Sequence, residues 1–249
     1  MRTRRAGMTT CRMRGNWAPS RDHSDRSQCR LLGPGRVCRD RDLDSPRDRL
    51  CRSPHVCLVR LGDEVKRDWM DELSDHTELT AKLASVLASQ WDPAVTMLEH
   101  CLREHHKVLL CGNGGSAAEA CHIAAELVGR FHLDRRAYPA IALSSDPAIM
   151  TAVTNDYGYA HAFARQVEAY GEAGDVLIAL STSGRSRNVL EAIARAKLMG
   201  LRTLGISGAN GLQCDVDIAI PSTVTARIQE LSLLCGHLII NGLEERLPK

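Results

Sequence analysis

Two stretches of this chain share one construction. A short, wholly apolar run passes directly into a loop of Gly, Ser and Thr, and the loop opens a helix-forming segment. The first is KVLLC (107–111) running into CGNGGS (111–116); the second is DVLIAL (175–180) running into STSGRS (181–186). An apolar run without alternation, bounded by a glycine-rich turn, is the pattern of a strand buried on both faces of a parallel sheet. Parallel strands need crossover connections, usually helices. The chain from residue 70 supplies them. AIAL (140–143), RTLGIS (202–207) and DVDIAI (215–220) read as further strands. Helices are expected over about 71–106, 117–130, 146–154, 161–170, 187–199 and 225–246. The first should break in two at Asp92-Pro93, since proline suits a helix's first turn and not its interior. The expected fold class is α/β: a three-layer sandwich whose five-stranded parallel sheet is flanked by helices, flavodoxin-like in layering but with no nucleotide.

The first 69 residues do not share this pattern. They hold 17 Lys and Arg against 9 Asp and Glu, a net of +8, whereas the remainder holds 15 against 21, a net of −6. The overall charge of +2 is therefore a cancellation. The longest apolar stretch of the first segment is Val56–Val59, too little to offset the entropy of ordering the chain. The expected division is a basic, disordered extension over 1–69 and one domain over 70–249. Three readings of the extension compete: a basic tail that touches nucleic acid or acidic surfaces, an Arg-rich transit segment (its nine acids argue against that), or translation assigned from too far upstream, with Met70 the true start. The charges are mixed in sign rather than clustered, so no nucleic-acid partner is expected. No apolar run approaches the roughly 20 residues of a membrane span, so no membrane partner is expected either. The ten cysteines split evenly between the two parts and no pair is spaced C-x-x-C, which reads as free thiols in a reducing cytoplasm.

Both loops suit an anion. In an open parallel sheet, ligands bind at the carboxyl ends of the strands, where helix N-termini present unpaired N–H groups and a partial positive charge. Glycines let the backbone approach closely, and hydroxyls donate further. The second loop offers Ser181, Thr182, Ser183 and Ser186; ordinary helix capping is the plain alternative. Neither loop is a P-loop or a dinucleotide fingerprint. After the first loop, His122 and Glu126 stand four apart on one helical face, able to share a metal or a substrate, or simply to form a surface pair. In the last helix Gln229 and His237 are polar positions in an apolar sequence. Their separation of eight residues is about 12 Å along the axis, stretched for two ligands of one ion. Both side chains could reach inward, the helix could distort near Cys235-Gly236, or the two could act from different subunits.

Taken in order, CGNGGS, the H-x-x-x-E of His122 and Glu126, YPAIALSSD, TNDYG, GDVLIALSTSGRS and ARIQE with His237 resemble the sugar isomerase (SIS) domain family, and within it the phosphoheptose isomerases, over about residues 71–245. The resemblance implies reversible aldose–ketose isomerisation of sedoheptulose 7-phosphate to D-glycero-D-manno-heptose 7-phosphate. It implies phosphate held by Ser181, Thr182, Ser183 and Ser186. It implies sugar contacts from Asn113, Gly114, Gly115, Ser116, Asn155 and Asp156, with Glu126 and Gln229 also touching substrate. One zinc ion per subunit would be held by His122, Glu126, Gln229 and His237, with Glu126 and His237 as the acid/base pair. A cytoplasmic homotetramer is implied, with sites built from more than one subunit. The chemistry agrees: moving a carbonyl between adjacent carbons requires a carboxylate or imidazole to shuttle a proton, and a cation to offset charge on the enediolate oxygens. Two relatives offer other readings. The non-catalytic DnaA-initiator-associating protein shares the loops but lacks the Glu of H-x-x-x-E and the late His, both present here. Regulatory SIS domains accompany a helix-turn-helix domain, which residues 1–69 do not suggest. The chain departs from the family pattern at Glu119, where Asp is common, at Ala226, and around Ser232 and Leu233.

Overall fold

The computed structural model describes residues 68–247. The expectations for the extension at 1–69 therefore lie almost wholly outside the described residues. Helix α1 (Trp69–Arg103) starts where the Asp68 carboxylate accepts the Met70 N–H at 3.2 Å, with Asp71 and Glu72 in a first turn that favours acids. It ends before His105, which takes a left-handed φ of 62°. The helix does not break at Pro93, contrary to expectation: it runs through as one element. The turns around the proline are held from outside. The Trp91 indole donates to the Leu238 carbonyl at 3.0 Å, and Ala94, Val95, Met97 and Leu98 are buried in the core. Packing outweighs the lost backbone bond. Leu73 is exposed, because burial in this helix begins at Leu79.

The strands are β1 (Val108–Cys111), β2 (Ala140–Ala142), β3 (Val176–Ser181), β4 (Arg202–Ser207) and β5 (Val216–Ala219). The helices between and after them are α2 (Gly115–Val128), α3 (Pro147–Tyr157), α4 (Ala164–Tyr170), α5 (Arg187–Leu198) and α6 (Thr225–Arg246), with a 3-10 turn at Tyr159–His161. The expected helix at 161–170 is thus split between that turn and α4. Asp146 caps α3 by accepting from the N–H groups of Ala148 and Ile149, and Pro147 fills the first helical position.

All strand pairs are parallel, in the order β2-β1-β3-β4-β5. Every residue of β1 and β3 is buried, as their uninterrupted apolar sequences require. Alternate residues serve opposite faces. Val108, Leu110, Val176, Ile178 and Leu180 join a core with α1, α2 and α6, while Leu109, Cys111, Leu177 and Ala179 join one with α4 and α5. The chain leaves β1 toward β2 on one side and comes back to β3 on the other. That reversal places the two loops that follow β1 and β3 side by side, where open α/β sheets bind ligands.

Candidate functional site

The two loops are tied together. Asn113, in the β1 loop, donates from Nδ2 to Asn188 Oδ1 at 2.9 Å, and Asn188 donates back to Asn113 Oδ1 at 2.8 Å. Tyr159 OH donates to the same oxygen at 2.6 Å. Asn188 stands in the first turn of α5, almost fully buried. Neither Asn188 nor Tyr159 was singled out from sequence. The nearest signal was an Asn two residues past Ser186, in a turn where Asn is a common cap.

The β3 loop is shaped as an anion cradle. Ser181 and Ser186 hydroxyls are 3.2 Å apart, the Ser183 hydroxyl accepts the Arg185 N–H, and Gly184 takes a φ of 65°. Ser186 is the N-cap of α5 but its side chain does not cap it, so its hydroxyl is not spent on the helix. From the next loop, Asn210 Nδ2 donates to the Ser183 carbonyl at 2.9 Å. Gly114 carries a φ of 56° at the entry to α2, and Gly115 has no room for a side chain, because a Cβ there would collide with the Gln229 carboxamide. Ser116 is buried in the first turn of α2. Asn155 and Asp156 lie exposed on the last turn of α3, bonded to each other at 2.8 Å.

A second cluster forms where α2 meets α6. His122 Nε2 is 3.1 Å from Glu126 Oε1 and 3.2 Å from His237 Nε2, and His237 Nε2 is 3.4 Å from the same Glu126 oxygen. Three donor atoms from two helices thus face one point. Four ligands set tetrahedrally about zinc at its usual bond lengths are separated by about 3.3 Å, so the spacing and the two-nitrogen, one-oxygen set suit that ion. Glu126 Oε2 is buried without a hydrogen-bond partner, so part of the carboxylate's bonding capacity is unspent. The Phe131 ring stacks with the His237 imidazole, with centroids 5.3 Å apart and planes at 23°. No sequence pattern marked Phe131.

Gln229 is not in this cluster. Its amide lies against Gly115, while His122 is seven residues, or about 10 Å, further down α2. The eight-residue gap from Gln229 to His237 is matched on the neighbouring helix, so within one chain Gln229 belongs with the glycine loop. Glu119, three residues before His122, is buried with its Oε2 unpartnered, and burial pushes its carboxyl up to about 7. A separate hollow of about 770 Å³ lies at the amino ends of β3, β4 and β5, among Pro93, Met97, Gly174, Gly200, Arg202 and Asp215. None of the site residues lines it.

Residues 73–208 match the SIS domain family. The chain is 47% identical over 178 residues to a phosphoheptose isomerase of Nitratiruptor sp., covering 70% of this chain and 95% of the relative. It is 43% identical over 187 residues to the phosphoheptose isomerase of Aliarcobacter butzleri, covering 74% of this chain and 99% of that one. Among solved structures, the phosphoheptose isomerase of Neisseria gonorrhoeae superposes with a TM-score of 0.66 at 34% identity, covering 71% of this chain and 97% of that chain.

Proposed function

The chain belongs to the SIS domain family, and from that membership and its phosphoheptose isomerase relatives we propose that it is an aldose–ketose isomerase interconverting sedoheptulose 7-phosphate and D-glycero-D-manno-heptose 7-phosphate. The observation that carries the reading is the meeting of Glu126, His122 and His237 within 3.4 Å on helices that begin beside the two loops. A carboxylate and an imidazole at hydrogen-bond range are what a proton shuttle between adjacent carbons requires.

The phosphate sits on Ser181, Thr182, Ser183 and Ser186 and on the first-turn N–H groups of α5. Asn113, Gly114, Gly115, Ser116, Asn155, Asp156 and Gln229 contact the sugar. Held remotely, the phosphate contributes binding energy that positions the reacting end. Glu126 removes a proton from C1 of the ketose and returns it to C2. His237 donates a proton to the C2 oxygen as the C1–H electrons form the C1–C2 double bond, and it takes up the C1 hydroxyl proton as the aldehyde forms and C2 receives its proton from Glu126, so both groups end as they began. His122, Glu126 and His237 would hold one zinc per subunit, with Gln229 on the substrate side. When bound, zinc supplies fixed positive charge against the negative charge that develops on the sugar oxygens.

The protein acts as a homotetramer whose sites draw on more than one subunit. His122 and His237 face outward, and the loop cluster lies about 10 Å away along α2 in the same chain. Trp69, Met70 and Leu73 on α1 and Tyr157 and Tyr159 beside the loops are exposed, and α3 has no buried residue. Those surfaces fit contact with further copies. Five described cysteines are unpaired, which fits the cytoplasm, and no helix among the described residues is long and apolar enough to cross a membrane.

The test is incubation of purified protein with sedoheptulose 7-phosphate, following aldose formation with and without a zinc chelator. Turnover that the chelator abolishes supports the reading. No turnover, with binding to a replication initiator instead, would replace it with the non-catalytic alternative.

A further inference from the structure

The carboxylate of Glu244 is only 2% exposed, yet it is fully engaged. Three successive backbone N–H groups point at it: Phe131 to Oε1 at 3.1 Å, His132 to Oε2 at 2.9 Å and Leu133 to Oε2 at 3.0 Å. Arg135 Nε completes the shell at 3.0 Å from Oε1. Burial alone would raise the Glu244 carboxyl, but the amides of Leu133, His132 and Phe131 and the Arg135 side chain hold it below the usual carboxylate range.

Arg135 is also 2% exposed and spends its other nitrogens on the end of α2. Nη2 donates to the Glu126 carbonyl at 2.9 Å, and Nη1 donates to the carbonyls of Leu127 at 3.0 Å and Arg136 at 3.1 Å. Carbonyls in the last turn of a helix lack intrahelical partners, so the guanidinium caps the turn that carries Glu126. Its plane rests on the Tyr138 ring at 4.0 Å. Glu244 lies seven residues after His237, two turns along the same face of α6. The pair therefore joins the helix of His237 to the backbone of Glu126. It also anchors the irregular segment 131–133, whose Phe131 ring stacks with the His237 imidazole at a centroid distance of 5.3 Å.

We propose that Glu244 and Arg135 are positioning residues: this buried pair sets the placement of Phe131 on His237 and of the last turn of α2 under Glu126, and so the geometry of the proton-transfer groups. The inference rests on the isomerase reading above for what those groups do. It does not rest on it for whether the pair places them. A carboxylate that accepts four hydrogen bonds cannot be replaced by a carboxamide without leaving some of the donors unpaired or repelled. The segment would then shift while the helices, packed on the sheet, stay.

The test compares Glu244→Gln, Arg135→Lys, Phe131→Leu and the Glu244→Gln/Phe131→Leu double variant of the full-length protein. Expected is a kcat loss of about tenfold or more in each single variant, with KM within about twofold, because the phosphate loop is on a different element. The double variant should lose clearly less than the product of the two single losses, since Glu244 acts in part through Phe131. His237 imidazole resonances should move in Glu244→Gln, and this is read without turnover. Wild-type protein with no isomerase activity would sink the functional reading, while the His237 resonances would still test the brace. The proposal is overturned if Glu244→Gln lowers only the melting temperature, with kcat and the His237 resonances at wild-type values. It is equally overturned if the losses multiply in the double variant. If Glu244→Gln does not fold, Arg135→Lys, which keeps the charge but loses the fork, is read by the same kcat and resonance criteria.

Discussion

Glu126 and His237 come from different helices and stand 3.4 Å apart. If they carry the proton, Glu126→Gln and His237→Gln should each lower kcat by about a hundred- to ten-thousand-fold while circular dichroism and assembly stay unchanged. Either variant turning over sedoheptulose 7-phosphate at the wild-type rate would reverse the assignment. Glu119 makes a different prediction. Its folded-state value of about 7 lies above the ordinary 4.5, so the fold favours the protonated carboxyl. The contribution of Glu119 to stability should therefore be greatest in acid and fall as pH rises from about 4.5 through about 7. Glu119→Gln should leave the melting temperature nearly unchanged at about pH 5 and raise it at about pH 8. A variant less stable than wild type at the higher pH would contradict the assignment of an uncompensated buried carboxylate. The residues themselves were open to inspection in the sequence. That Glu119 is buried and Gln229 covers Gly115 was not, because both depend on how α6 lies along α2.

The β3 loop is the element that holds phosphate in the proposed reaction. Gly184 has a φ of 65°, and a Cβ there would press on the Gly211 carbonyl of the adjacent loop. Gly184→Ala forces a side chain into a left-handed position at about 1–3 kcal/mol and displaces the neighbouring loop. KM should rise about tenfold or more with a smaller change in kcat, measured by steady-state kinetics. An unchanged KM would show that this loop does not bind the phosphate. The strands are legible in the sequence as short runs with ends shifted by at most a residue; β1 and β3 are buried at every position, whereas the edge strands β2 and β5 are only partly buried. Helix α1 was read with a break that is absent. Proline's cost is a local quantity, while the Trp91 bond and the burial of Ala94, Val95 and Leu98 that offset it come from distant parts of the chain.

At the scale of the molecule, helix α1 starts with its own signal, the Asp68 cap. We propose that residues 1–67 are dispensable. A protein beginning at Asp68 should match the full chain in kcat, melting temperature and number of subunits per particle by light scattering. One beginning at Met70 should lose about 1 kcal/mol with the cap and little activity. Loss of activity or assembly in the Asp68 form would assign the extension a role. Light scattering also tests the tetramer directly, and a monomer would leave His122 and the apolar first turns of α1 in water.

The amino-acid sequence alone determined the α/β class, the parallel sheet, the two ligand-seeking loops and the candidacy of His122, Glu126 and His237. The class, the sheet and the loops follow from composition and spacing within about a dozen residues, where backbone geometry leaves few choices; the three site residues stand out together through the resemblance of the ordered motifs to the SIS family. Only the tertiary structure decided that β1 and β3 are neighbours, and so that Asn113 and Asn188 lock the loops together. It alone decided that His237 completes the cluster of His122 and Glu126 across 115 positions while Gln229 does not. The physical reason is the same in each case. A helix or strand is specified by its near neighbours in sequence, whereas the packing of one element on another depends on side chains throughout the core.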